Sequence, residues 1–138
     1  WKQDKVGSVS RLQVSPRSVS APIRIVGSRS HGGDALSDWV SRLPRETSFM
    51  AVGSSIKFCR IAEGLVDIYP RFGPTSQWDT AAGQCVLQLA GGDVVDAAMT
   101  TLTYGRSRPI LNPEFFAVSS KALLREAVQN TNSMSLRD

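Results

Sequence analysis

Three stretches of the 138-residue chain combine residue types that can do chemistry. In the first, Gly53-Ser54-Ser55 stands where a helix is expected to begin, with Lys57 in its first turn. A glycine and two hydroxyls there leave free backbone N–H groups at a positive dipole end, which suits phosphate or another anion. The same residues also serve as plain helix caps, their commoner use. The second is Arg71, directly after an expected strand over Leu65–Tyr69. Ligands collect at strand ends in α/β sheets, and a guanidinium offers phosphate a planar fork; a solvated loop arginine is the plainer reading. The third runs from Trp78-Asp79-Thr80-Ala81-Ala82-Gly83 to Ala90-Gly91-Gly92. Asp79 at a helix start can be a cap, or one of the carboxylates that Mg²⁺ takes beside substrate phosphate. The small residues 81–83 would let that helix lie close against a neighbour.

These residues need elements to hold them. Pro22–Val26 reads as a β-branched strand closed by Gly27, and Asp34–Leu43 as an amphipathic helix stopped by Pro44. Thr47–Val52 is a second strand. Ser54 or Ser55 then caps a helix that Gly64 ends. Leu65–Tyr69 is a third strand ended by Pro70, and 71–77 a Gly/Pro loop. Asp79 or Thr80 starts a helix that stops at Gly91-Gly92. Val94–Val95, Leu102–Tyr104 and Phe115–Val118 read as short strands, and Ser119–Val128 as a last helix. Strands alternating with helices make the class α/β. Residues 1–20 read as an edge strand or loosely ordered basic segment, apart from the domain over 21–138.

Composition narrows the choices. The chain is 41% hydrophobic and 20% charged, which is globular composition and excludes a disordered or fibrous chain. No apolar run approaches the ~18 residues of a membrane helix, so a transmembrane segment is not expected. The net charge of +4 is confined to the first thirty residues, where six cations face Asp4 alone. No aromatics interleave with these bases, so a nucleic-acid stacking surface is not expected and a solvated arm is the simpler reading. Cys59 and Cys85 lack metal-ligand spacing, and His31 is the single histidine, which excludes zinc. Two reduced, buried thiols are expected, consistent with the cytoplasm.

The residues quoted above resemble a known family. Trp78-Asp79-Thr80-Ala81-Ala82-Gly83 followed by Ala90-Gly91-Gly92 looks like the second signature of the inositol monophosphatase-like, Mg²⁺-dependent phosphatases. Gly53–Cys59, Ala62-Glu63-Gly64, Asp67–Thr75, Gly27–His31 and Leu111–Phe116 bring it closer to the bacterial 3′(2′),5′-bisphosphate nucleotidase branch, the CysQ type. The resemblance implies a mixed sheet flanked by helices, the C-terminal half of a layered αβαβα sandwich. It implies hydrolysis of adenosine 3′,5′-bisphosphate, or its sulfated analogue, to AMP and phosphate by metal-activated water. It also implies a cytoplasmic setting, extending to the periphery of the inner membrane.

Position by position, Asp79 resembles the metal-ligating aspartate beside the attacking water. Gly53, Ser54 and Ser55 resemble the turn that holds the sugar and its phosphate. Lys57 and Arg71 look like the cations that grip the phosphate not being cleaved. His31 resembles a residue near the base or the 3′-phosphate, although a lone histidine is more often structural. In the inositol phosphatases the place of Arg71 is typically acidic, and a second phosphate needs a cation there. Glu63 and Asp67 read as structural.

One departure limits the resemblance. The family's first signature, an Asp-Pro-(Ile/Leu)-Asp-Gly-Thr string with an upstream glutamate pair, is absent, and with it most of the metal ligands. Two-metal phosphoryl transfer cannot rest on one aspartate. The chain, opening at Trp1, is therefore expected to be cut from something larger, with Mg²⁺ ligands and the N-terminal half as the missing partners. Alone it is expected to be silent. An inositol monophosphatase or sugar bisphosphatase, a non-catalytic anion-binding fragment, and self-association as a homodimer are the alternatives.

Overall fold

The structure, a computed structural model, describes residues 1–15, 20–28 and 33–135. Its main body is a five-stranded mixed sheet in the order β4-β3-β5-β7-β6. The strands are β3 (Ile23–Gly27), β4 (Thr47–Ala51), β5 (Ile68–Arg71), β6 (Asp93–Asp96) and β7 (Phe115–Val118). β3 runs parallel to β4 and β5, while β7 runs antiparallel to both β5 and β6. The helices are α1 (Gly33–Ser41), α2 (Ile56–Ala62), α3 (Gln77–Leu89) and α4 (Lys121–Ser135).

Alternation along the strands divides the core into two layers. Val26, Tyr69, Val94, Phe115 and Ala117 pack with Phe58, Ile61 and Leu87 of α2 and α3. Ile23, Ile25, Ile68, Val95, Phe116 and Val118 pack on the other face with Trp39 of α1 and Leu124 and Ala127 of α4. The sheet is thus covered on both sides, the mixed sheet flanked by helices that the sequence leads one to expect. Arg24 ties the two parallel strands: its guanidinium meets Asp67 at 2.8 and 3.1 Å and donates to Gly64 O at 2.9 Å. Asp67 is structural, as is Glu63, which pairs with Lys2 and Arg60 at 2.8 Å each.

Several expectations need correction. Residues 2–10 form a hairpin of their own, β1 (Lys2–Gln3) against β2 (Val9–Ser10), outside the five-stranded sheet. β5 begins at Ile68 and continues through Pro70. That is tolerable because β3 pairs with β5 only at Ile68, so Pro70 has no β3 partner to fail. Leu102–Tyr104 is not a strand: Thr101 makes one bridge to Val95, the Leu102 N–H donates to Val94 O at 2.9 Å, and the pairing goes no further. α3 begins at Gln77, two residues before Asp79. Cys85 is exposed and Cys59 only half-buried, and both are free thiols.

Candidate functional site

A cleft of about 630 Å³ opens between α2, the end of β5 and the first turns of α3. Ser54, Ser55, Lys57, Arg71 and Asp79 all line it. Gly53 does not; it sits in the exposed loop just before, where a Cβ would meet nothing within 4 Å. His31 lies outside the described residues.

Each element contributes for a local reason. β5 sends Tyr69 and Arg71 to the same face, because alternate residues of a strand do so, and that is the α2–α3 face. Ser54 takes φ +59°, unusual for a residue with a side chain, and turns the chain into α2. Ser55 holds the N-cap position of α2 without a side-chain cap bond, so neither serine caps that helix as expected. With seven residues, α2 has little dipole to offer an anion, so the charge of the site rests on side chains. α3 is brought close by Gly83: a Cβ there would fall 2.5 Å from Phe58 Cδ2. At its far end Gly91 adopts φ +99°, and a Cβ on Gly92 would lie 2.5 Å from Val118 O, so the turn into β6 requires both glycines.

Two cations dominate the electrostatics. Lys57 is only 3% exposed; its ammonium donates to Ser54 O at 3.2 Å and stands 5.0 Å from the Tyr69 ring centroid. Burial, and then the neighbouring Arg71 charge, lower its pKa. Burial raises the Tyr69 phenol, opposed by the Arg71 guanidinium. Arg71 Nη2 donates to Pro74 O at 3.4 Å and the guanidinium also bonds the Tyr69 hydroxyl, while its buried Nε–H has no partner. A buried donor without a partner is rare, and here it belongs to a side chain lining the cleft. Asp79 is exposed, and its Oδ2 accepts the Ser76 N–H at 2.8 Å. It is therefore the third residue of a capping box as well as the one carboxylate among the cleft-lining residues.

That donor set fits a divalent cation only in part. Mg²⁺ commonly takes one or two carboxylates, waters and phosphate oxygens, and Asp79 supplies one carboxylate. Among the described residues no three His, Cys, Asp or Glu side chains come together to hold a metal. The described residues do not make a complete metal site by themselves.

Reasoning from the sequence missed Ser28, Tyr69, Thr75 and Thr80 as cleft residues. Ser28 and Thr80 stand inside stretches already singled out, and Tyr69 two before Arg71 shares its strand face, so these three carried a local signal. Thr75 carried none.

The inositol monophosphatase family matches residues 4–133. The 3′(2′),5′-bisphosphate nucleotidase CysQ of Salmonella typhimurium is 44% identical over 115 residues, covering 83% of this chain and 45% of that protein. CysQ of Escherichia coli K12 is 42% identical over the same shares. Among solved structures, CysQ from Bacteroides thetaiotaomicron has a TM-score of 0.66 at 34% identity, covering 77% of this chain and 41% of that one. SuhB of Mycobacterium tuberculosis has the same fold, with a TM-score of 0.63 at 20% identity over 94% and 49%. The chain spans about half the length of the curated relatives it matches.

Proposed function

The chain belongs to the inositol monophosphatase family, and on that premise we propose that it is the substrate half of a Mg²⁺-dependent 3′(2′),5′-bisphosphate nucleotidase. The reaction is hydrolysis of adenosine 3′,5′-bisphosphate, or its sulfated analogue, to AMP and phosphate. A water oxygen bonds to phosphorus, the phosphorus–sugar oxygen bond breaks, and the leaving oxygen takes a proton.

The observation that carries this reading is the pairing of Lys57 with Arg71 in one cleft, both short of anionic partners. An inositol monophosphate offers one phosphate, the one to be cleaved. A bisphosphate offers a second, and a buried ammonium beside an unsatisfied guanidinium is a fitting receptor for it. Ser54 and Ser55 stand at the sugar side of these cations, with Gly53 shaping the approach and His31 reserved for the base or 3′-phosphate. Asp79 faces the cleft from α3 and would give one carboxylate to Mg²⁺, whose remaining ligands belong to the half that this chain lacks. When bound, the metal activates water and offsets charge on the phosphate. This chain is the C-terminal half, its partner is the N-terminal half, and the setting is the cytoplasm. No described helix is long and apolar enough to cross a membrane.

The test is phosphate release by the full-length protein, with and without Mg²⁺, from adenosine 3′,5′-bisphosphate and from inositol 1-phosphate. Asp79→Asn should abolish turnover while leaving the thermal unfolding midpoint in place. Arg71→Glu should lower kcat/KM for the bisphosphate about a hundredfold, the loss of a charged phosphate contact, and that for inositol 1-phosphate only a few-fold. Equal losses on both substrates would refute the bisphosphate assignment and return the inositol phosphatase reading. Turnover without Mg²⁺ would refute the mechanism.

A further inference from the structure

We infer that Asn112 is a positioning residue for the α3 end of the cleft, fixing the turn that aims Asp79 without itself touching the cleft. The inference rests on the bisphosphatase reading only for what that aim accomplishes. Asn112 lies in Leu111–Phe116, just before β7, and is almost buried. Its backbone N–H donates to Thr75 O at 2.8 Å. Its side-chain Nδ2 stands 2.8 Å from Ser76 O, 3.1 Å from Thr75 Oγ1 and 3.0 Å from Thr80 Oγ1. Oδ1 accepts from Arg108 Nη2 at 2.7 Å. A guanidinium can only donate, so this contact fixes which end of the amide faces α3.

Asn112 thereby grips residues on both sides of Asp79. Ser76 O also accepts the Asp79 N–H at 2.9 Å, and the Ser76 N–H holds Asp79 Oδ2. Among the described residues that second contact is the carboxylate's one hydrogen bond, so the carboxylate goes where Ser76 goes. The same segment adds further ties. Ile110 O accepts the Gln77 N–H at 2.9 Å, and the Gln77 amide bonds Gly105 and Pro109. Tyr104 O–H completes the arrangement, 3.0 Å from Thr80 Oγ1 and 2.6 Å from Gln84 Oε1. Without the amide, Ser76 O and Thr80 Oγ1 lose a donor and Arg108 Nη2 loses an acceptor, and the first turn of α3 becomes free to fray.

Two variants test this. Asn112→Ala removes the amide; Asn112→Asp keeps the acceptor for Arg108 but has no N–H for Ser76. Amide exchange in the full-length protein should show about tenfold lower protection at Ser76, Gln77 and Asp79 in both, with Val94 and Ala117 unchanged. In phosphate release both should lose about tenfold to a hundredfold in kcat, the usual effect of a small misplacement of a reacting group. KM for the bisphosphate should stay within about threefold, because Lys57 and Arg71 sit on other elements. Three results overturn the inference: unchanged protection in the α3 turn, a wild-type Asp variant, or protection lost across β6 and β7 as well. If the wild-type protein releases no phosphate from the bisphosphate, the functional reading falls and the exchange pattern alone decides the role of Asn112.

Discussion

Lys57 carries its charge where burial and a neighbouring guanidinium both work against it, and that makes it a sensor of whatever fills the cleft. Its folded pKa is lowered from the ordinary 10.5, first by burial and then by Arg71. Between the lowered value and 10.5 the folded chain therefore holds fewer protons than the unfolded chain, so the empty protein gains stability as pH rises through that window. A bound phosphate favours the ammonium and reverses the sign. Affinity for inorganic phosphate or a bisphosphate should accordingly fall as pH climbs through the lowered value, before an ordinary lysine would titrate. Calorimetric titrations across this alkaline range check it, and an affinity that holds level to pH 10.5 would remove Lys57 from the anion site. Substituting Arg for Lys57 should shift the fall to higher pH, since arginine stays charged.

At the scale of elements, the approach of α2 to α3 is set by one missing side chain. Ala in place of Gly83 would gain helix propensity of about 1 kcal/mol. The new Cβ would, however, lie 2.5–3.1 Å from Phe58 Cδ2, Cγ and Cβ, atoms too near the backbone to swing away. Phe58 cannot shift freely because it packs with Tyr69 and Phe115 at centroid distances of 5.5 and 6.0 Å. Overpacking typically costs about 1–3 kcal/mol, so Gly83→Ala should be a net loss, read as a lower denaturation midpoint in urea; a rise would mean the helices separate easily.

The small residues 81–83 announced this close approach in the sequence, and β-branched runs announced β3 and β7. What could not be read was non-local. Pro70 looks like a strand end until the sheet reveals that the pairing between β3 and β5 is confined to Ile68. Leu102–Tyr104 alternates like a strand, yet the Tyr104 hydroxyl is spent on Thr80 and Gln84, twenty and more residues away. Cys85 looked like a core thiol because its neighbours are apolar, but Val86 and Leu89 face outward with it while Leu87 takes the core. Of the site, Lys57, Arg71 and Asp79 were legible as charges at element ends. Asn112 was not, because its partners around the start of α3 lie more than thirty residues back.

For the whole molecule the outward face of α3 matters most. Trp78, Ala82, Cys85, Val86 and Leu89 form a stripe at helical spacing, all exposed, with Trp78 71% and Leu89 78% accessible. Continuous apolar surface of this kind marks an interaction face, and it runs directly from the cleft. The half that completes the family's length is expected to cover it. Cys85 should therefore react quickly with a maleimide in the 138-residue chain and at least about tenfold more slowly in the full-length protein, as burial suppresses thiol access. The chain alone should release no phosphate. Equal labelling rates in both would place the remaining half elsewhere.

The central position of β5 has a further consequence, for the order in which the protein can assemble as it is made. One flank of β5 pairs with β3, which precedes it, and the other with β7, which follows α3 and β6 in the chain. Until residues 115–118 leave the ribosome, the nascent sheet must carry an open β5 edge rich in buried-type side chains, the kind of edge that recruits foreign strands. Synthesis of the stretch between them is thus the interval in which that edge stays uncovered.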